Sequence, residues 1–237
     1  MSTSAAKTSK PLLNHQGFTL IEILVALLLI SIMFTLIPSS DNSRRHQDLQ
    51  RAVDDLDRAA RFASNEAVLR NSIVRLRVDL EKQPAEYYIE YGPKGDMVIP
   101  LDVPETNLSL DEIKKKKELQ GKLDSQFHKV EEFADVSREF SLEVQFLGMA
   151  TAWSKKLQKT GQAQAYFYPT GERDGALFFL ATQDEMGVLE IRPFQEKTIA
   201  SYFPFPKFRD GDQAAVAKTQ QFQDTKMTEL FKTWLEK

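Results

Sequence analysis

Residues 18 to 37 form the run FTLIEILVALLLISIMFTLI. Among its twenty residues only Glu22 is charged, and only Thr19, Ser31 and Thr35 are otherwise polar. At about 1.5 Å per residue, a helix of that length spans the roughly 30 Å hydrocarbon core of a bilayer. A helix buried in a soluble domain would be shorter and would keep a polar face. Residues 18–37 therefore read as a transmembrane helix. The segment before the run holds Lys7 and Lys10 and no acid, whereas Arg44 and Arg45 after it are offset by Asp41 and Asp48. That asymmetry keeps the short N-terminus in the cytoplasm and sends the remainder across. A secretory signal peptide would also pair a basic start with an apolar run. Here the run is too long, and its exit, Thr35-Leu36-Ile37-Pro38, offers no small-x-small cleavage site. The expected cut lies before the apolar run.

Gly17-Phe18-Thr19-Leu20-Ile21-Glu22 sits at that point. This hexapeptide resembles the class III signal of type IV pilins and of type II secretion pseudopilins. The resemblance implies cleavage between Gly17 and Phe18 by a membrane aspartyl prepilin peptidase, on the cytoplasmic side, and N-methylation of the new amino terminus on Phe18. Glu22 also carries an argument of its own. A carboxylate near hydrocarbon costs on the order of 2–3 kcal/mol and calls for a partner. The freed amine of Phe18 would lie four residues, one helical turn, before it. The resemblance implies that this pairing runs between neighbouring subunits and sets their axial stagger, making Glu22 a filament-assembly residue. The alternative is a Glu22 that sits hydrated at the membrane interface.

Pro38-Ser39-Ser40 interrupts the apolar run, since proline removes a backbone hydrogen bond and ends or kinks a helix. A helical pattern then resumes: Leu49, Val53, Leu56, Ala60, Ala63 and Ala67 recur at alternating spacings of four and three. Asp54 with Arg58 and Asp57 with Arg61 are i,i+4 pairs for the solvated side. The organisation expected is a leader over 1–17, a transmembrane helix over 18–37, an amphipathic extension over 38–71 and a periplasmic β-rich domain over 72–237.

Within that domain the period becomes two. Ile73 to Leu80, with Arg75, Arg77 and Asp79 interleaved on the outer side, predicts a half-buried strand, and Tyr87 to Tyr91 a second. Phe140 to Phe146 alternates strictly and predicts another. Gln164–Tyr168 and Ala176–Thr182, around a turn-rich heptapeptide, read as a hairpin. Val188–Arg192 and Thr198–Tyr202 read as a last pair. The segment 101–138 is a charged insert in which Lys114 to Lys117 sit on a short helix among Asp111, Glu112 and Glu118; a solvated element fits it better than a nucleic-acid or lipid site. The tail, 203–237, ends in an amphipathic pattern at Met227, Leu230, Phe231 and Leu235. The fold class is α+β, with a long N-terminal helix packed on an antiparallel sheet domain. The stretch from Ala59 to Asn71, and Phe167-Tyr168-Pro169-Thr170-Gly171 with the strand after it, resemble the corresponding parts of H-type pseudopilins and related minor pilins.

Composition bounds the chemistry. The chain has 237 residues, 42% hydrophobic and 27% charged, which is globular. Its formal net charge is −3; loss of the leader takes Lys+Arg from 31 to 29 against 34 acids, hence −5. An acidic chain is a poor general nucleic-acid binder, although Arg70, Arg75 and Arg77 hint at a basic patch. With no cysteine there is no disulfide and no thiolate metal site. His15, His46 and His128 show no ligand spacing, Asp184-Glu185 and Asp210-Gly211-Asp212 lack a calcium-loop ladder, and no phosphate-binding or nucleophile motif is present. No cofactor, metal or catalytic residue is expected.

The function expected is a minor pseudopilin of a type II secretion system in the inner membrane. Its partners would be prepilin peptidase, other major and minor pseudopilins or pilins, the inner-membrane assembly platform and the lipid bilayer, with no nucleic acid. The alternative on the same signal is a minor type IV pilin in pilus assembly, adhesion or DNA uptake. An anchored exported enzyme is the third reading, with no visible site.

Overall fold

The computed structural model describes residues 19–36, 41–94, 109–130, 138–152, 154, 156–195, 197–207 and 214–236. The chain divides into two compact units, Met1–Ser40 and Asp41–Lys237. The first contains α1 (Leu20–Leu36). The long N-terminal helix expected from sequence is described as two elements, α1 and α2 (Asp41–Arg70), with residues 37–40 between them outside the described set.

In the second unit, α2 is the element on which the sheets are laid. Its stripe of Leu49, Val53, Leu56, Ala60, Ala63 and Ala67 is buried throughout. Each large apolar side chain so buried contributes about 1.5–3 kcal/mol. Of the two pairs expected on its solvated flank, Asp57–Arg61 forms, whereas Arg58 turns to Asp55, one turn back, and not to Asp54; Glu66–Arg70 pairs further along. The helix ends where Asn71 takes a left-handed conformation, φ 48°, a stop that asparagine tolerates better than most residues.

Two antiparallel sheets follow. The first has the order β3-β2-β1-β7, with β4 also on β2. Its strands are β1 (Ser72–Asp79), β2 (Glu86–Lys94), β3 (His128–Lys129), β4 (Arg138–Glu139) and β7 (Gln162–Phe167). The second has the order β10-β9-β8-β5-β6. Its strands are β5 (Gln145–Thr151), β6 (Leu157–Gln158), β8 (Ala176–Ala181), β9 (Glu185–Ile191) and β10 (Ile199–Pro204). The inner faces of both sheets and the stripe of α2 form one core. At Gly187 a β-carbon would stand 3.1 Å from Val53 Cγ2 and 3.2 Å from Leu49 Cγ, so glycine lets α2 lie close on β9.

Each sheet is covered on its outer face as well. The helix α3 (Leu110–Asp124) and the turn after it place Leu123 and Phe127 against Ile73 and Tyr166 of the first sheet. The C-terminal helix α4 (Ala215–Leu235) lays Met227, Leu230, Phe231 and Trp234 over Leu177, Phe179, Met186 and Val188 of the second. A strand covered on both sides loses the inside–outside alternation of a one-faced sheet, and β8 is buried at all six positions.

The structure departs from the sequence expectation at three places. The strictly alternating Phe140–Phe146 is not one strand: Val144 N–H donates to Ser141 O in a turn, Leu142 is 84% exposed, and the strand starts at Gln145. Gln164–Tyr168 and Ala176–Thr182 are not a hairpin: β7 pairs with β1 and β8 with β5 and β9, so the chain changes sheet between them. Arg75 does not face solvent; it is fully buried.

Candidate functional site

Of the residues singled out at the N-terminus, Gly17 and Phe18 lie outside the described residues, and Glu22 is in the first turn of α1. The carbonyl of Thr19 accepts from the N–H of Glu22 and of Ile23, and Thr19 Oγ1 accepts from Glu22 N–H at 3.3 Å. Thr19 therefore opens the helix and Glu22 is its third residue. That T-x-x-E spacing is the pattern of a capping box, and a carboxylate there meets the positive end of the helix dipole. The sequence carried this signal in Thr19-Leu20-Ile21-Glu22. Within the described residues the Glu22 side chain has no ion-pair partner; the Phe18 amine, its expected one, lies outside them.

From Leu20 to Met33 every residue of α1 is exposed, including Leu20 at 80% and Met33 at 72%. The helix is apolar around its whole circumference, with Glu22 as its one charge. Its described length is 17 residues, about 26 Å at the ordinary helical rise. Among the described residues, no helix is long and apolar enough to cross a membrane.

In the second unit two polar clusters stand out, and neither was foreseen. The first lies beneath α3. Arg75 Nε donates to Glu90 Oε2 at 2.5 Å, and Nη1 donates to Asp124 Oδ1 at 2.5 Å and to Gln164 Oε1 at 3.1 Å. The guanidinium stacks 4.0 Å from the centre of the Phe127 ring. Burial pushes the neighbouring Tyr166 hydroxyl up to about 12 and raises that of Tyr168, which also faces Asp174. With its charge matched by two carboxylates, Arg75 is an anchor for α3. The Arg70–Arg75–Arg77 patch is likewise absent as a free surface: Arg70 pairs with Glu66, and Arg77 with Gln162 and Glu90.

The second cluster ties the start of α2 to the second sheet. Arg45 reaches Asp184 at 3.0 Å and Glu143 at 3.6 Å, His46 Nδ1 lies 2.5 Å from Glu185 Oε1, and Ser141 Oγ donates to Asp48. The His46 ring meets Tyr202 edge-on at 5.8 Å. Among the described residues, no group of three or more histidine or acidic side chains could hold a metal. His128, on β3 of the first sheet, sets its ring beside Tyr91 on β2.

Residues 12–37 match the family model described as the prokaryotic N-terminal methylation motif. The match covers Gly17, Phe18, Glu22 and the whole of α1, and leaves the second unit unmatched. No curated protein matches the chain, and no solved structure does.

Proposed function

We propose that this chain is a minor pseudopilin of a type II secretion system, of the H type, and not an enzyme. In this reading prepilin peptidase cuts between Gly17 and Phe18 and methylates the Phe18 amine. Residues 18–37 anchor the subunit in the inner membrane before it enters a periplasmic filament with other pseudopilins. Glu22 meets a Phe18 amine in assembly, and residues 72–237 face the periplasm. The observation that carries the reading is the methylation motif over residues 12–37, placed on a helix that is apolar all round. Intact mass and N-terminal sequencing of the membrane-extracted protein, with and without its peptidase, test it. A methylated Phe18 start that depends on the peptidase is expected, and a Met1 start in both strains refutes it. Glu22→Ala is expected to be inserted and cut normally yet to drop out of crosslinked filament subunits; normal incorporation removes the assembly role.

The same signal would serve a minor type IV pilin. The pairing of Arg70 and Arg77 and the burial of Arg75 weigh against a DNA-capturing version of that alternative.

A further inference from the structure

Among the described residues, the sheet edges are short or capped at β3, β4, β6 and β7, and β10 is open. On the first sheet, β3 and β4 are two residues each, and β7 is capped from outside. Asp174 Oδ2 accepts from Tyr166 N–H, Asp174 N–H donates to Tyr166 O, and the Gln158 amide donates to Gln162 O. On the second sheet, β6 is two residues long. Among the described residues that leaves β10, six residues paired only with β9 and without a bulge.

The outward groups of β10 follow from the ladder. Phe205 N–H donates to Asp184 O, and Thr182 N–H donates to Glu185 O on the other side of β9. Both bonds fix the same alternation in register. Residues 199, 201 and 203 turn their backbone groups toward β9, while Ala200 and Tyr202 turn theirs outward, together with the carbonyl of Pro204. No backbone bond satisfies these outward groups among the described residues. Proteins blunt such edges with charge, bulges or proline. The strand Ile-Ala-Ser-Tyr-Phe-Pro has no charged residue, and its proline comes last. Ile199 is 37% exposed, and Ala200 and Pro204 are also exposed.

We infer that the outer edge of β10 is a docking site for an extended segment of another protein, added as a further strand, with a lysine or arginine at its centre. Only an extended backbone presents donors and acceptors at the spacing that Ala200 and Tyr202 offer. The charge requirement comes from Asp54 on α2. Its carboxylate is exposed and has no ion pair among the described residues, and it lies on α2 between His46, whose ring meets Tyr202, and Asp57, which accepts from Thr198 Oγ1 next to the start of β10. Burial, and then Asp54 and Glu185, hold the Tyr202 hydroxyl above its ordinary range. The other nearby acids are engaged: Asp57 by Arg61 and Thr198, Glu185 by His46, Glu190 by Arg192. Lys197 and Lys207 bracket the strand, so the negative charge is central. A second copy of this chain fits poorly, because pairing about a two-fold axis near Tyr202 sets Asp54 against Asp54 and each lysine against its counterpart. The edge is there whichever machine the chain serves.

The test uses the full chain in detergent and an acetylated octapeptide of alternating threonine and valine with one central lysine. Amide hydrogen exchange is read by mass spectrometry over fragments spanning 199–204. About tenfold slower exchange there is expected with the lysine peptide and less with its glutamate counterpart. Ala200→Pro, which deletes one outward N–H, and an N-methylated peptide against the unaltered protein are each expected to abolish the slowing. Asp54→Asn is expected to erase the difference between the peptides. No slowing with the lysine peptide, slowing that survives N-methylation, or slowing that grows with protein concentration in the absence of peptide overturns the assignment.

Discussion

Arg75 is the residue on which the second unit turns. Its guanidinium joins β1, β2, β7 and the end of α3 through Glu90, Gln164 and Asp124, with 1% of the side chain exposed. Removing one partner of a buried pair costs more than replacing the whole pair, because the remaining charge is stranded. Arg75→Met is expected to lower stability by about 3–5 kcal/mol, read as a fall in the urea midpoint. Replacing Arg75, Glu90 and Asp124 together by apolar residues of similar volume is expected to recover most of that loss; a triple variant as unstable as the single one contradicts the account. The alternation Ile73-Val74-Arg75-Leu76 placed Arg75 in water, because a period of two distinguishes faces and does not say which are covered. The cover here is α3, some fifty residues away and recruited by the arginine itself. The place of Glu22 in the first turn of α1 was legible in a way the burial of Arg75 was not, since Thr19 three residues before it opens the helix.

At the scale of elements, what was legible depended on how local the cause was. The stripe of α2 could be read because helical spacing alone puts Leu49 through Ala67 on one side. Strands β9 and β10 could be read as a pair because a short connection and matched alternation suffice. The misread segment Phe140–Phe146 shows the opposite case. It alternates well enough for a strand, yet Ser141 turns there, and its hydroxyl donates to Asp48 on α2. The supposed hairpin of β7 and β8 failed for a similar reason. Asp174 caps Tyr166, so the turn between them closes an edge and leads the chain to the other sheet. The close seating of α2 on β9 has a measurable consequence at Gly187. Gly187→Ala is expected to cost about 1–3 kcal/mol, since the added methyl meets Leu49 and Val53 in a packed core. Thermal unfolding checks this, and an unchanged or raised midpoint rules it out. Leu49→Ala in the Gly187→Ala background is expected to cost less than Leu49→Ala alone, because the new methyl occupies part of the vacated space.

For the whole molecule, titration gives two limits of stability with different owners. On the acid side, hydrogen bonds from Lys82 and then Tyr88 hold the Glu86 carboxylate below its ordinary value, and the Ser109 backbone and hydroxyl do the same for Glu112. A lowered native value means the unfolded chain takes up protons first as pH falls. The stabilisation is then complete above the ordinary carboxylate value of 4.5 and is lost below it. On the alkaline side, Tyr166 is raised to about 12 by burial and Tyr168 is raised as well. The unfolded chain ionises these tyrosines first, from their ordinary 10.0, so stability is complete below that pH and falls through the range up to about 12. The urea midpoint is expected to fall below pH 4.5 and again above pH 10.0. Tyr166→Phe is expected to weaken the alkaline fall without moving the acid one, and a fall unaltered in Tyr166→Phe would assign it elsewhere.

Strand β8 has no wet side. Ala176, Phe178 and Leu180 belong to the core with α2, whereas Leu177, Phe179 and Ala181 belong to the layer under α4. Phe178 and Phe179 are adjacent along the chain and occupy separate rooms, with the sheet as the wall between them. Divergence among relatives of this chain can thus run on two clocks. The room shared with α2 is constrained by everything that long helix touches, while the room beneath α4 needs only a C-terminal helix that changes in step with it. Lineages that redesign or discard that helix would show the record in every second residue of β8.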